Sequence, residues 1–155
     1  MAGYEQRGPH ALKLRLMNRM EELEKLHEAL GRFGGACGFT EDQVFRVSLA
    51  CEEIVMNIIT YGYPEGGEHE IVLTAESLPG EVRLTVRDDG RAFNPLEVQT
   101  PDTTLKLDER PVGGLGIHFV RRLMDEIRYS REEGINILQL TMRHEEEGMR
   151  NEHTP

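Results

Sequence analysis

The sequence has no tryptophan, only two cysteines and fewer basic than acidic residues. Cys37 and Cys51 form neither a disulfide framework nor the spacing of a metal site, which fits a reducing compartment. Lys and Arg number 18 against 28 Asp and Glu, and the net charge of −10 disfavours nucleic acid and anionic membranes as partners. No apolar run approaches a membrane span, and residues 1–10 have no signal-peptide core. We therefore expect a cytoplasmic protein without direct nucleic-acid or membrane contact.

The remaining composition is typical of one folded domain. The chain has 155 residues, 38% of them hydrophobic and 30% charged, which is enough for one core and argues against general disorder. We expect an N-terminal tail over 1–10, a single domain over 11–144 and a polar C-terminal tail over 145–155.

Hydrophobic periodicity predicts the order strand, helix, helix, two strands, long irregular stretch, helix, two strands. Asn18 is expected to cap the first helix, Gly34-Gly35 to end it, and Thr40 to Gln43 to form a capping box before the second. The irregular stretch, about 93–113, has the length of a functional lid or of a disordered loop. The order is not strict βαβ alternation. It predicts an α+β two-layer sandwich, with a mixed, mostly antiparallel sheet and helices on one face.

The first motif is a carboxylate and a carboxamide on the second helix. Glu53 and Asn57 are four residues apart and therefore share a face of that helix. A carboxylate can activate a nucleophile, and an amide oxygen is a ligand for hard cations. The alternative is a solvated helix face, with Glu52 beside the pair. Asn57, however, has apolar neighbours in the sequence, so its amide needs a partner or a ligand.

The second motif, Asp88-Asp89-Gly90-Arg91-Ala92, directly follows an apolar strand. The Asp88 carboxylate can accept a hydrogen bond from an exocyclic amine such as that of adenine. Gly90 lets the backbone approach a flat ring without an intervening Cβ. An ordinary turn is the alternative interpretation, because Asp-Gly is a common turn pair.

The third motif, Gly113-Gly114-Leu115-Gly116, leads into the N-terminus of the last helix. Free backbone N–H groups and the helix dipole make such a junction an anion site, so it can hold phosphates. The segment is neither a P-loop nor a Rossmann fingerprint. The alternative is a flexible glycine loop.

Together, in this order and spacing, the three motifs resemble the GHKL (Bergerat) ATP-binding fold of gyrase-type ATPases, certain chaperones and histidine kinases. The resemblance covers roughly residues 12–143. Within this superfamily the sequence is most similar to the stand-alone anti-sigma factor serine/threonine kinases. Two positions depart from the superfamily pattern. Ala92 replaces a glycine of the second motif. Val112, directly before the third motif, stands where many histidine kinases have a glycine.

The resemblance implies ATP and Mg²⁺ as cofactors. It implies that Glu53 is the general base and that Asn57 coordinates Mg²⁺. It also places Lys106 and Arg110 in the lid as candidate cations for the γ-phosphate. The residues that it implies at the nucleotide are Asn57, Asp88, Gly90, Ala92, Lys106, Arg110, Gly113, Gly114, Leu115 and Gly116.

By the same resemblance we expect a kinase that binds a sigma factor and phosphorylates a STAS-domain antagonist on serine or threonine. Homodimerisation is expected by analogy. One alternative is a non-catalytic module that binds ATP and a protein partner. Another is the catalytic domain of a histidine kinase, but the N-terminal helix offers only His27 as a phosphoacceptor, and a lone histidine there is more typical of packing or surface.

Overall fold

The computed structural model describes residues 4–6, 10–97 and 114–144. These residues form six strands and three α-helices. The strands are β1 (Tyr4–Gln6), β2 (Ala11–Met17), β3 (Glu70–Leu78), β4 (Glu81–Asp88), β5 (Glu126–Glu132) and β6 (Ile135–Arg143), and the helices are α1 (Leu23–Ala36), α2 (Glu41–Tyr61) and α3 (Gly114–Leu123). Strand β1 lies within the predicted N-terminal tail, and the predicted C-terminal tail lies outside the described residues. The predicted domain bounds stay a prediction.

The strands form one sheet in the order β1-β2-β3-β4-β6-β5. Every pairing among the described strands is antiparallel, where the sequence left room for a mixed sheet. Two-residue turns close the β3–β4 and β5–β6 hairpins, the second with positive φ at both Glu133 and Gly134. Positive φ at both central residues is the signature of a type I′ turn, which matches the twist of the paired strands. The predicted α+β sandwich is confirmed.

The core lies between one face of this sheet and the helices. Alternate strand residues point inward, as the period of two requires, and in β4 these are Val82, Leu84 and Val86, each at most 1% exposed. Helix α2 packs against both α1 and α3. The two residues proposed from the second helix are therefore carried by the central element of the helical layer.

The ends of the first two helices follow local rules, with two departures from prediction. The Thr40 hydroxyl accepts from Gln43 N at 3.1 Å and the Gln43 side chain accepts from Thr40 N at 2.8 Å, which confirms the capping box. Asn18 does not cap α1. Its side chain instead donates to Gly67 O at 3.0 Å and accepts from His69 N at 2.9 Å. The Asn18 prediction is wrong because a distant loop uses both ends of its amide.

The second departure is at the end of α1, which continues through Gly34 and Gly35 to Ala36. Phe39 N donates to Gly34 O at 2.9 Å and Gly38 N donates to Gly35 O at 3.3 Å, with Gly38 at φ 74°. This pair of bonds is a Schellman motif, so Gly38 is the terminating glycine. A Cβ on Gly34 would lie 2.6 Å from a Val44 methyl, so this glycine serves close packing of α1 against α2.

Candidate nucleotide site

Glu53 and Asn57 lie on α2 where it meets the start of α3. A Cβ on Gly116 would overlap Glu53 Oε2 and lie 3.6 Å from Asn57 Nδ2. The third motif is thus in direct contact with the first, a proximity that helix spacing alone did not predict. A larger residue at position 116 would displace the Glu53 carboxylate, because the two elements approach so closely.

The Nδ2 atom of the half-buried Asn57 is itself buried and has no hydrogen-bond partner within the described part of the chain. A buried polar group without a partner is costly, and it is uncommon outside sites that use it. The assignment of nitrogen and oxygen in such an amide follows from its hydrogen bonds, which are missing here for Nδ2. The amide therefore fits a ligand role, with either its oxygen or its nitrogen turned to the site.

The Glu53 carboxylate is partly buried beside this amide. Burial, and then the neighbouring Glu52 carboxylate, raise the pKa of Glu53 above its ordinary value. A raised pKa makes the ionised carboxylate a better proton acceptor, which suits a general base.

Asp88 ends β4 and is 6% exposed. Its Oδ1 accepts from Gly90 N at 2.9 Å and from Asn136 Nδ2 at 3.0 Å. Burial raises the pKa of Asp88, and the hydrogen bonds from Asn136 and Gly90 act against that increase. Among the described residues the hydrogen bonds to this carboxylate go to Oδ1, so Oδ2 is left for an outside donor.

Gly90 joins the second motif to the end of α2. Arg91 N donates to Gly62 O at 2.9 Å, and a Cβ on Gly90 would lie 2.7 Å from that same carbonyl oxygen. Any larger residue would push the two segments apart. The helix that carries Glu53 and Asn57 therefore ends against the loop that carries Asp88.

The segment around this junction is held by a second polar cluster that the sequence did not predict. Tyr63 and His69 stack with ring centroids 4.3 Å apart, and His69 Nδ1 lies 3.2 Å from each Asp89 oxygen. The Tyr63 hydroxyl donates to Asp89 at 3.3 Å. Burial, followed by the charges of Asp88 and Asp89, raises the pKa of Tyr63. These contacts fix the loop after α2 beside the second motif, which begins at Asp88.

The remaining predicted site residues are less completely placed. Ala92 is exposed just beyond Gly90, and Gly114 begins α3. The Leu115 backbone is helical and its side chain is not described. At the start of the predicted lid, the carbonyls of Pro95 and Leu96 accept hydrogen bonds from Arg121 of α3 at 3.2 and 2.6 Å. Four residues named from the sequence lie outside the described residues: Lys106, Arg110, Val112 and Gly113.

Sequence reasoning missed Asn136, which is 6% exposed and contacts Asp88 directly. A signal for it exists in the printed sequence. Asn136, Leu138, Leu140 and Met142 share the inward face of β6, so Asn136 is the one polar residue in an otherwise apolar alternating set. A polar side chain at a core position requires a buried partner.

An open groove of about 480 Å³ lies elsewhere, between α1 and α2. Gly31, Phe45 and Glu52 are among its lining residues, and none of the described motif residues lines it. The groove is therefore separate from the nucleotide site.

Two absences hold for the described residues. Across 4–6, 10–97 and 114–144, no helix is long and apolar enough to cross a membrane. Over the same ranges, no three His, Cys, Asp or Glu side chains are grouped closely enough to hold a metal ion.

Comparisons with known proteins agree with this geometry. The sequence is 32% identical over 97 residues to the serine/threonine-protein kinase BtrW of Bordetella bronchiseptica, covering 63% of this chain and 68% of the relative. It is 26% identical over 106 residues to the serine-protein kinase RsbW of Bacillus subtilis, covering 64% of this chain and 65% of the relative. The matched region thus spans about two thirds of the length of these relatives.

Solved structures share the fold. The RsbU and RsbW domains of Rv1364c from Mycobacterium tuberculosis superpose with a TM-score of 0.61 at 21% identity, over 86% of this chain and 32% of that one. The histidine kinase domain of a blue-light activated histidine kinase from Erythrobacter litoralis gives a TM-score of 0.51 at 18% identity, over 76% and 60%. The family profile of the histidine kinase-like ATPase domain matches residues 16–142. With most of its length matched, the chain belongs to the histidine kinase-like ATPase domain family.

Proposed function

We propose that this protein is an ATP-dependent serine/threonine protein kinase that acts as an anti-sigma factor. In this proposal it binds a sigma factor and phosphorylates a STAS-domain anti-sigma factor antagonist. Relatives named serine-protein kinases support the kinase class. The observation that carries the proposal is the contact of Gly116 with Glu53 and Asn57, because it joins the helix N-terminus suited to phosphates to the carboxylate suited to a base.

The nucleotide in this proposal lies between the glycine motifs and α2. Asp88 Oδ2 accepts from the adenine amine, while Gly90 and Ala92 leave space for the ring. The backbone N–H groups at the start of α3 face the phosphates, where the helix dipole favours negative charge. The phosphate-facing residues are Gly113, Gly114, Leu115 and Gly116, with Lys106 and Arg110 as lid cations.

Glu53 is the proposed general base. Its carboxylate takes the proton from the serine or threonine hydroxyl of the antagonist as that oxygen bonds to the γ-phosphorus. The bond from the γ-phosphorus to the bridging oxygen of ADP breaks, so the products are ADP and a phosphorylated side chain. The raised pKa of Glu53 supports this role, and positioning supplies much of the rate in phosphoryl transfer.

Asn57 is the residue proposed to hold Mg²⁺, which when bound would neutralise charge on the triphosphate. An amide oxygen is an accepted ligand for this cation, and Mg²⁺ commonly takes one or two protein ligands together with phosphates and water. The unpartnered Nδ2 of Asn57 supports the fit, because no hydrogen bond at that atom fixes the amide and its oxygen is free to turn to the cation.

The test compares wild-type protein with Glu53→Gln and Asn57→Ala. Calorimetric titration with ATP and ADP, with and without Mg²⁺, measures the site, and transfer of labelled γ-phosphate to STAS-domain proteins measures the reaction. We expect Glu53→Gln to bind ATP normally and lose phosphotransfer, and Asn57→Ala to lose the Mg²⁺-dependent part of ATP affinity. Normal phosphotransfer by Glu53→Gln would show that the base is assigned wrongly.

The alternative is a module that binds ATP and a protein partner without transferring phosphate. It predicts Mg²⁺-dependent ATP binding with no transfer to any STAS-domain protein, so the same experiment separates the two. A homodimer in the cytoplasm completes the proposal. Sedimentation equilibrium of the purified chain tests the dimer, since a monomer at all concentrations would contradict it.

A further inference from the structure

Asn136, the second residue of β6, pairs directly with Asp88 at the end of β4. Its Nδ2 donates to Asp88 Oδ1 at 3.0 Å and to the Arg91 carbonyl at 2.9 Å, and lies 3.4 Å from the Gly90 carbonyl. One side chain thus holds both the Asp88 carboxylate and the backbone of the second motif.

The other end of the Asn136 amide is held by β5. Its Oδ1 accepts from the Tyr129 hydroxyl at 2.6 Å and from Arg131 Nη1 at 2.8 Å, and Arg131 Nη1 also donates to the Gly90 carbonyl at 3.1 Å. A guanidinium only donates, so this contact fixes which end of the amide is oxygen and turns Nδ2 towards Asp88.

Both protons and both lone pairs of the Asn136 amide have partners, which leaves this side chain no capacity for a ligand. Any effect on a nucleotide must pass through Asp88, whose Oδ1 is occupied and whose Oδ2 is left for an outside donor. We infer that Asn136 is a positioning residue that sets the orientation of Asp88 for adenine, and that Tyr129 and Arg131 hold Asn136 in turn. The inference rests on the proposed function, because it assumes that Asp88 reads the base.

The alternative is that Asn136 merely satisfies buried groups and stabilises the fold. The two interpretations differ in pH dependence. Asp88 must be ionised to accept a hydrogen bond from adenine at Oδ2, and Asn136 is the foremost group that holds its pKa down against burial. Asp89 adds a like charge, Arg131 an opposite one, and Tyr63 lies within electrostatic reach. Without the Asn136 donor the pKa of Asp88 rises. As the pH is lowered, Asp88 should then be protonated earlier, and ATP binding should be lost at a higher pH than in the wild type.

The experiment measures ATP and GTP affinity between pH 5 and 8 for wild-type protein, Asn136→Leu and Tyr129→Phe, together with thermal unfolding. Tyr129→Phe removes one hydroxyl and keeps the ring, so it supplies a result if Asn136→Leu does not fold. Gln139→Leu is the control, a polar-to-leucine change on the same strand outside the buried face. It should leave the ATP-to-GTP ratio and its pH profile as in the wild type.

We expect Asn136→Leu to weaken ATP binding about tenfold, from the loss of one charged hydrogen bond, and to reduce the preference for ATP over GTP. The acid limb, which is the loss of ATP affinity as the pH is lowered, should begin at a higher pH in Asn136→Leu. Tyr129→Phe should show a smaller shift in the same direction. Folded variants that keep the wild-type nucleotide ratio and acid limb overturn the inference while the proposed function stands. Wild-type protein that binds no ATP overturns both.

Discussion

Replacing Gly116 with alanine tests whether α3 and α2 are fitted together at the Glu53 carboxylate, the proposed base. The added Cβ would overlap Glu53 Oε2, while its 3.6 Å separation from Asn57 Nδ2 is an ordinary contact. The overlapped atom is the far end of a flexible side chain. Glu53 can therefore move aside, and the substitution should displace the proposed base without breaking the fold.

The two contributions to stability nearly cancel. Alanine is favoured over glycine inside a helix by about 1 kcal/mol, and forcing Glu53 away from its preferred rotamer costs about 0.5–1.5 kcal/mol. We expect the free energy of unfolding of Gly116→Ala to stay within about 1 kcal/mol of wild type. Catalysis should not be spared, because misplacing a reacting group by about 1 Å can cost on the order of 100-fold in rate.

Urea unfolding and the initial rate of phosphotransfer measure the two effects on the same sample. The control is Gly31→Ala in α1, where an added Cβ meets nothing within 4 Å. Gly31→Ala should raise the free energy of unfolding by about 1 kcal/mol through helix propensity and keep the wild-type rate of phosphotransfer. Full phosphotransfer by folded Gly116→Ala would refute the fit between Gly116 and the base. A decrease of several kcal/mol in the free energy of unfolding of Gly116→Ala would show that the backbone, rather than the Glu53 side chain, moves to relieve the overlap.

Three further predictions concern stability. Leu84→Ala, at a fully buried position of the central strand β4, should lower the free energy of unfolding in urea by about 2–5 kcal/mol; a loss under 1 kcal/mol would contradict the core assignment. Gly38→Ala should lower the free energy of unfolding by about 1–2 kcal/mol, because φ is 74° at this position. The change in unfolding free energy should therefore have the opposite sign to that of Gly31→Ala in the same assay. Asp88→Asn should reveal the raised pKa of Asp88. Stability from a raised pKa is complete below the ordinary value of 3.8 and is lost as pH rises through the folded value, so wild type should lose stability relative to Asp88→Asn as pH increases from 4 to 7. A stability difference between wild type and Asp88→Asn that does not change with pH would contradict a raised pKa of Asp88.

Features that depend on neighbours in the sequence were predictable. The capping box at Thr40 and the shared face of Glu53 and Asn57 follow from helix geometry, which acts over four residues. Both hairpins follow from alternation and turn residues. The fold class follows from the order of such elements, so it too could be predicted from local patterns.

Features that depend on distant contacts were not predictable in the same way. Asn18 has good capping chemistry, yet its amide pairs with residues 67 and 69, about 50 positions away. Gly34 looks like a helix stop, yet it is required for the close approach of Val44. The contact between Gly116 and Glu53 likewise depends on how α3 packs on α2. In each case a tertiary contact outweighs the local preference of the residue.

The register of the sheet is what connects the fold to base recognition. Asp88 pairs with Asn136 across β4 and β6, and Asn136 pairs with Arg131 across β6 and β5. A slip of one residue would turn Asn136 to the outer face and leave the buried Asp88 carboxylate without its amide partner. The type I′ turn at Glu133 and Gly134 fixes the register of β5 against β6, and with it the pairing of Arg131 with Asn136. A turn that meets no ligand therefore helps to hold Asp88 in the orientation that the proposed adenine contact requires.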